Sequence, residues 1–338
     1  MATPLVSILL PVYNGASTVD EAVDSLVQQT MSDFEIIVVD DGSTDTTRAR
    51  LAERQDRRLR VINSPHVGLL QALNLGLTAC RAPYVARLDA DDVCRPQRLE
   101  RQLTIMEQQP DVGVCGTQVE AFPAADVATG FDIYVRWQNG LLTHSDICRE
   151  IFIESPIAHP SAMLRRAEMV SLGGYQDRGW AEDYDLWLRY HAAGRRFAKV
   201  AEPLVRWREH EARATRTDSR YSIENFLRAK SHYLACGPLA SRDGLLVWGA
   251  GRTGRRLSKH LIRAGHRPDA FIDIAANRIG STMRGVPIIG PDDVLRCWRS
   301  LRRPMLLAAV ASRGARALIR EQLRIFGLTE GVDYLCVA

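Results

Sequence analysis

Three aspartates within four positions form the part of the sequence best suited to chemistry. Asp89, Asp91 and Asp92 directly follow the strand-like stretch "YVARL". Carboxylates this close repel one another unless a cation or a hydrogen-bond donor lies between them. A hard divalent cation, Mg²⁺ or Mn²⁺, suits such an all-oxygen ligand set better than zinc does. In an extended strand end Asp89 and Asp91 point the same way. We expect Asp92 to cap the following helix or to lie just outside the ligand set.

Two other polar segments belong to the same edge of the predicted sheet. "YNG" at 13–15 and "DDGSTD" at 40–45 each follow a continuous apolar run. The first ninety residues alternate strand and helix patterns, which predicts a parallel sheet covered by helices on both faces. Ligands of such sheets bind beyond the carboxyl ends of the strands. We therefore expect Tyr13, Asp40 and Asp41 near the three aspartates, on a rim where a phosphate needs a bridging cation.

A helix predicted in "AEDYDLWLRYHAAG" carries three further carboxylates. Asp183 could cap this helix or pair with Arg178. Asp185 is its rival on the same helix, and the residue types alone do not separate the two. Gly194 is expected to end the helix, since glycine is common just past the last helical turn.

Two histidines are weaker candidates. His210 lies among Arg206, Arg208, Glu209 and Arg213, so a surface salt-bridge cluster is as good an interpretation as a ligand site. His159 precedes Pro160 and could be an ordinary turn residue.

A second α/β pattern begins at Gly244. Gly249, Gly251 and Gly254 form a G-x-G-x-x-G between a predicted strand and a predicted helix, and Asp273 ends the next predicted strand. This context is typical of a dinucleotide-binding turn. The turn also carries several arginines, which is unusual beside a pyrophosphate, and no second catalytic constellation accompanies it. We therefore favour a non-catalytic Rossmann-like domain over an NAD(P)-binding one.

Composition limits the classes of protein to which the chain could belong. The 338 residues are 46% hydrophobic, which is enough for two packed domains, and a net charge of +4 does not indicate a nucleic-acid partner. Seven cysteines include no C-x-x-C pair, so we expect neither a disulfide framework nor a zinc site. No apolar run approaches the roughly 18 residues of a membrane span. We interpret the short apolar run 5–12 as a strand instead of a signal peptide, and expect a cytoplasmic protein.

These motifs, in this order, resemble family 2 glycosyltransferases of the GT-A fold over roughly residues 4–215. The resembling segments include "PVYN" at 11–14, "DDGSTD" at 40–45, "DAD" at 89–91, "HPSAMLRR" at 159–166, "AEDYDLWLR" at 181–189 and "PLVRWREHEARAT" at 203–215. The resemblance implies a mixed sheet with helices on both faces. The segment 122–157 has mixed signals in the sequence itself, and we expect an acceptor-facing lobe or a mobile loop there.

The resemblance assigns roles to individual residues. It implies that Asp183 is the catalytic base and that Asp91 and His210 hold the metal. Glu182 and His159 would lie on the acceptor side. The nucleotide-sugar contacts would come from Pro11, Val12, Tyr13, Asn14, Asp41, Asn74, Arg87, Asp89 and Ala90.

Within that set Tyr13 would lie against the base and Asp89 towards the ribose. Asp41 is preferred to Asp40 as a further contact to the base. The sequence departs from the family pattern at Leu73, where many relatives carry arginine. Arg87 could supply the missing basic contact.

The expected function is inverting, metal-dependent transfer from a nucleotide-sugar donor, with UDP as the commonest nucleotide. The acceptor would be a saccharide or a lipid-linked sugar in bacterial cell-surface polysaccharide synthesis. Two alternatives stay open: a bifunctional enzyme whose second domain modifies a nucleotide sugar, and a non-catalytic binding protein. The expected domains are a GT-A domain at 1–221, a helical linker at 222–240 and a Rossmann-like domain at 241–338. Peripheral membrane association and a homodimer through the last domain are left open.

Overall fold

The computed structural model of the chain describes residues 3–211 and 213–338. Its contacts divide the chain into two units. The first unit comprises the chain up to Ile147 together with Ser155–Arg178 and Glu182–Thr217. The second comprises Cys148–Glu154, Gly179–Ala181 and Asp218–Ala338. The expected domain boundaries remain a prediction.

The first unit is built on a mixed sheet. Its strands are β1 (Val6–Val12), β2 (Phe34–Asp40), β3 (Leu59–Asn63), β4 (Tyr84–Arg87), β5 (Val93–Cys94), β6 (Val112–Phe122), β7 (Met163–Arg165) and β8 (Arg196–Arg208). They lie in the order β3-β2-β1-β4-β7-β6-β8-β5. The first four strands of this order run parallel, and β7 is antiparallel to both of its neighbours.

The parallel part of the sheet explains where the polar segments go. Every residue of β1 and β2 is buried, as expected for apolar strands covered on both faces. In the register, Val12 lies opposite Asp40 and Leu9 lies opposite Arg87. Strands β1, β2 and β4 are neighbours that end on one side, so the residues that follow them share one edge.

Helices complete the first unit. They are α1 (Val19–Val27), α2 (Thr47–Ala52), α3 (Leu69–Ala79), α4 (Arg98–Gln108), α5 (Thr129–Asn139), α6 (His144–Glu150), α7 (Arg166–Ser171), α8 (Glu182–Ala192) and α9 (Ala214–Thr217), and α6 continues into the second unit. Helix α1 buries Ala22, Val23 and Leu26 in the core, which matches their helical spacing. The segment 122–157, which lacked a clear pattern, contains α5 and α6.

The second unit contains another sheet. Its elements are α10 (Ile223–Cys236), β9 (Gly244–Trp248), α11 (Arg252–Arg263), β10 (Ala270–Ile272), β11 (Thr282–Met283), β12 (Val286–Ile289), α12 (Val294–Ser300), β13 (Pro304–Ala308), α13 (Ala315–Ile325) and β14 (Tyr334–Cys336). The strand order is β11-β12-β10-β9-β13-β14, and every pairing except β11 with β12 is parallel. Across the described chain, no helix combines the length and hydropathy that crossing a bilayer requires.

Candidate active site

The three aspartates converge beyond the end of β4. Carboxylate oxygens of Asp89, Asp91 and Asp92 all lie within 4.8 Å of one another. Burial and then the neighbouring Asp91 carboxylate raise the pKa of Asp92 well above its usual range. Burial also raises the pKa of Asp89, with Asp91 adding to the effect. These carboxylates therefore repel one another in the absence of a cation, as their spacing in the sequence suggests.

Asp92 has a larger part in this cluster than expected. Its side chain is buried, and one carboxylate oxygen accepts a 2.7 Å hydrogen bond from the Arg208 backbone N–H. Its other oxygen is buried and has no hydrogen-bond partner among the described residues. The expectation that Asp92 caps a helix is wrong, because α4 begins only at Arg98 and its N-cap residue is Gln97.

His210 reaches this cluster from the end of β8. Its Nε2 lies 2.7 Å from a carboxylate oxygen of Asp91. The neighbouring arginines have other partners. Arg213 pairs with the buried Glu209 at 2.6 Å, and Arg208 donates to the backbone carbonyl of Asp91 at 2.6 Å. The salt-bridge cluster considered for this segment therefore exists around Glu209, while His210 faces Asp91.

The turns after β1 and β2 are joined by hydrogen bonds. Asn14 has a positive φ of 52°, and its side-chain oxygen accepts from the Thr44 N–H at 2.8 Å. The Asn14 N–H donates to the Ser43 hydroxyl at 2.9 Å. Asp40 accepts from the Ser43 N–H at 3.0 Å and pairs with Arg48. Asn14 therefore joins the two turns, and Asp40 fixes the turn after β2.

An aromatic pair lies on the same edge. Tyr13 stacks on His66 with ring centroids 4.0 Å apart, and about half of each side chain is exposed. Asp41 lies beneath them, where its buried carboxylate accepts from the N–H groups of Val67 and Gly68 at 2.8 and 3.0 Å. The structure thus gives Asp41 a role in holding the loop of His66. The sequence patterns did not point to His66, because it follows β3 outside every recognised motif.

The remaining residues assigned to the nucleotide sugar lie close by in the fold. Pro11 and Val12 are buried in β1, and Ala90 is half-buried between Asp89 and Asp91. Their side chains carry no polar atom, so any role in binding rests on their shape and main chain.

Arg87 is buried next to the aspartate cluster and contacts Asp89. Its side chain is 1% exposed, and Nη2 donates to Asp89 at 2.5 Å. Its Nε and Nη1 have no hydrogen-bond partner among the described residues. The buried, positively charged guanidinium of Arg87 stabilises the charged form of Asp89. The structure therefore places Arg87 against Asp89, which differs from the direct nucleotide contact considered from the sequence.

Tyr175 links the aspartate cluster to helix α8. Burial raises its pKa, and Arg87, Glu182, Asp183 and Asp89 all act electrostatically on its hydroxyl. These residues therefore share one region, although they come from distant parts of the sequence. Tyr175 was not recognised in the sequence because it belongs to no strand-end motif.

His159 and Asn74 both hold Tyr175. The Tyr175 hydroxyl lies 2.7 Å from His159 Nε2, and Asn74 bonds the Tyr175 backbone N–H and C=O at 2.9 and 2.8 Å. Burial and then the Arg87 charge lower the pKa of His159 well below its usual range, so its ring is neutral at pH 7. The structure therefore places both residues against Tyr175. The sequence had instead suggested an acceptor contact for His159 and a nucleotide-sugar contact for Asn74.

Helix α8 separates its acidic residues by environment. Asp183 is half-buried, and one of its oxygens accepts from the Tyr184 N–H at 2.7 Å. Glu182 beside it is buried. Asp185 is completely buried and pairs with Arg189 at 2.7 Å. Arg178, considered as a partner of Asp183, lies 3.7 Å from Asp185. Of the two rivals, Asp185 is therefore committed to an internal ion pair.

In the second unit, the glycine turn follows β9. A Cβ on Gly254 would lie 1.8 Å from the Gly249 carbonyl oxygen, so only glycine fits there. Asp273 accepts from the Ala250 N–H at 3.1 Å and pairs with Arg278 at 2.9 Å. The acidic residue expected to bind ribose is thus held against the glycine turn.

Comparisons with known proteins agree on one family. The profile described as "Glycosyl transferase family 2" matches residues 7–172. An uncharacterized glycosyltransferase of Haemophilus influenzae is 34% identical over 67% of this chain and 71% of its own length. The UDP-Gal:alpha-D-GlcNAc-diphosphoundecaprenol beta-1,3-galactosyltransferase of Escherichia coli is 28% identical over 72% of this chain and 88% of its own length.

A solved structure extends the comparison to the fold. The crystal structure of S. aureus TarS 1–349 in complex with UDP-GlcNAc superposes with a TM-score of 0.56 at 17% identity, covering 77% of this chain and 72% of that one. The expected GT-A fold is therefore confirmed, and a second sheet is present beside it. On the sequence relationships and this fold, the chain belongs to glycosyltransferase family 2 and is a glycosyltransferase.

Proposed function

We propose that this enzyme transfers a sugar, with inversion, from a UDP-sugar to a hydroxyl group of its acceptor and that it requires Mg²⁺ or Mn²⁺. The observation that carries the proposal is the group formed by Asp89, Asp91 and Asp92, with His210 at 2.7 Å from Asp91. This acidic group lies beyond a strand end, on the edge where parallel sheets bind ligands.

A divalent cation fits the residues present. Among the described residues, one buried carboxylate oxygen of Asp92 has no hydrogen-bond partner, and burial together with the neighbouring Asp91 and Asp89 carboxylates raises the pKa of Asp92. A hard cation relieves both costs and accepts oxygen ligands. We assign Asp91 and His210 as its ligands, with Asp92 as an additional one. When bound, such an ion neutralises the donor diphosphate and stabilises the leaving group as a Lewis acid.

Asp183 suits the role of general base. It is the second residue of α8, is half-buried and acts electrostatically on the same Tyr175 hydroxyl as Asp89 does. A carboxylate there removes the proton of the acceptor hydroxyl as the oxygen attacks the anomeric carbon. Attack opposite the leaving diphosphate in a single displacement inverts the configuration, which parallels the logic of inverting hydrolases. Asp185 is a poorer candidate because Arg189 already engages it.

The names of the similar proteins favour particular substrates. TarS was crystallised with UDP-GlcNAc, and the name of the E. coli relative gives a UDP-Gal donor and an alpha-D-GlcNAc-diphosphoundecaprenol acceptor. By analogy we propose a UDP-sugar donor and a saccharide or lipid-linked acceptor in polysaccharide synthesis. A lipid-linked acceptor would require peripheral contact with a membrane.

We also propose the arrangement of 1–221 as the GT-A domain, 222–240 as a helical linker and 241–338 as a Rossmann-like domain. Helix α10 spans most of the proposed linker, and the contacts group it with the second unit. The support for a Rossmann-like domain is the strand order β12-β10-β9-β13-β14, which has the 3-2-1-4-5 order of the classic doubly wound fold.

A donor screen tests the proposed function. Nucleotide release from UDP-sugars is measured with Mg²⁺ or Mn²⁺, with EDTA, and with Asp91→Ala as the control variant. We expect release that depends on both the metal and Asp91, and a product of inverted anomeric configuration by NMR. Equal turnover in EDTA would refute the metal site. Binding of UDP-sugars without any release or transfer would favour the non-catalytic alternative.

A further inference from the structure

The second unit contains a crevice that the proposed glycosyl transfer does not use. Its volume is about 730 Å³, and it is lined by residues that follow β9, β10 and β13. This is the place where strand order reverses, because β10 lies on one side of β9 and β13 on the other. The loops leaving β9 and β13 diverge there, which opens a ligand site in sheets of this type. The volume falls within the roughly 300–1,000 Å³ range of small-molecule pockets.

One wall of the crevice is suited to a polyanion. It contains the start of α11, whose first N–H groups and helix dipole point to the N-terminal end. Arg252 on α11 and Arg278 beside the glycine turn add two cationic side chains to the lining. Gly251 leaves this wall open, since the nearest atom to a Cβ built there is Arg278 Nη1 at 3.5 Å. Backbone donors without obstructing side chains allow close approach of phosphate oxygens.

The lining also contains exposed apolar side chains. Ile274 and Leu318 are 79% and 74% exposed, more than any other large hydrophobic side chain in the described chain, and both line the crevice. Single exposed apolar residues are common, but these two flank one opening. A ligand with a flat apolar face would cover them. A nucleoside base has such a face.

Asp273 is the acidic residue of the same lining. Its carboxylate is buried against the Ala250 N–H and Arg278, so it is fixed at the end of β10 and remains part of the lining. An acid at this place in a G-x-G-x-x-G fold accepts hydrogen bonds from ribose hydroxyls. Within the described residues, the lining has no His, Cys, Lys, Glu or Tyr side chain. Among the described lining residues, the one carboxylate, Asp273, is already paired with Arg278, so the crevice offers binding groups without a free general acid or base.

The geometry points to a second ligand site in this chain: the crevice binds a ribonucleotide with a pyrophosphate group, placing the ribose on Asp273 and the diphosphate at Gly251 and Arg252. NAD(P) and nucleoside diphosphates share this chemistry. The site binds its ligand without transforming it, and it needs no divalent cation. This inference does not rest on the proposed glycosyl transfer.

Calorimetric titration of the full-length protein tests it, with NAD⁺, NADP⁺, ADP and UDP as separate probes in EDTA. The chelator removes the cation that the proposed donor site requires. Two variants alter the crevice. Gly251→Val fits the backbone, since Gly251 has φ −80°, and fills the phosphate wall. Arg252→Glu reverses an exposed lining charge. Arg255→Glu is the matched control, because this exposed arginine on the same helix does not line the crevice.

We expect at least one probe to bind, and Gly251→Val and Arg252→Glu each to weaken it by about tenfold or more, while Arg255→Glu stays within about twofold. The probe that binds identifies a dinucleotide or a nucleoside diphosphate as the source. Absence of binding by all four probes at about 1 mM would overturn the inference. So would binding that both crevice variants retain. If Gly251→Val lowers the melting temperature, Arg252→Glu still decides the result, because its side chain is exposed and changes no packing.

Discussion

The assignment of Asp183 as the base, with Asp185 as a structural residue, makes a prediction that separates two neighbouring carboxylates. Asp183→Asn removes a base at a half-buried position. A positioned general base contributes about 10²–10⁴-fold, so we expect kcat to fall by that factor. The affinity for the UDP-sugar and the melting temperature should change little, because the amide keeps the size of the side chain.

Asp185→Asn should have the opposite profile. Asp185 is 0% exposed and pairs with Arg189, which also donates to the carbonyls of Leu172 and Gly174 at 2.7 Å. Removing the carboxylate leaves the buried guanidinium uncompensated, which costs about 3–5 kcal/mol. At about 2–4 °C per kcal/mol, the melting temperature should fall by about 6–20 °C.

Two assays compare the Asp183→Asn and Asp185→Asn variants. They are nucleotide release at saturating donor and acceptor, and thermal unfolding followed by circular dichroism. Asp111→Asn is the control, since its pairing with Arg196 is exposed and is worth at most about 1 kcal/mol. The reasoning is refuted if Asp183→Asn keeps turnover within about tenfold of the parent. It is equally refuted if Asp185→Asn abolishes turnover at an unchanged melting temperature.

Three further predictions concern other sites. His210→Ala should raise the Mn²⁺ concentration for half-maximal activity by about 10–100-fold, and an unchanged metal titration would contradict the assignment of His210 as a metal ligand. His66→Ala removes the stack on Tyr13, worth about 1 kcal/mol, so the donor KM should rise about fivefold, whereas an unaltered KM would exclude a role in base binding. Burial lowers the pKa of Lys199 to about 7. The unfolded chain therefore binds more protons between about pH 7 and 10, and the free energy of unfolding should rise with pH by up to about 1.4 kcal/mol per unit. Urea titrations of the parent and Lys199→Met should diverge across this window and run parallel below it.

Much of the fold follows from local patterns. Strands β1 and β2 are runs of apolar residues long enough to be buried on both faces, and their burial confirms that interpretation. The glycine turn after β9 is also recognisable, because Gly254 leaves no room for a side chain. The segment 122–157 was harder to interpret. Helix α6 has only seven residues, and much of α5 is exposed or half-buried, so no strong apolar stripe marks the segment.

The candidate site could be predicted only in part. Residues directly after strand ends, such as Asp89 and Asp91, could be placed on one edge from the alternation of strands and helices. Their roles follow from motif resemblance and stay predictions. Tyr175 and Arg87 support the acidic residues without belonging to a strand-end motif. Their positions depend on contacts between segments far apart in the chain, which local residue types do not predict.

The sequence by itself determined the family, the strand-end positions of the acidic residues and the glycine turn of the second unit, because these depend on short-range order of residue types. Only the tertiary structure decided which contacts each of the neighbouring acidic residues makes. Asp92 lies in the acidic group with Asp89 and Asp91 instead of capping a helix, and β8 brings the Arg208 N–H to its carboxylate. Asp185 differs from Asp183 because its side of α8 faces Arg189 in the interior. Burial and pairing set the state of a carboxylate, and both come from the packing of distant segments.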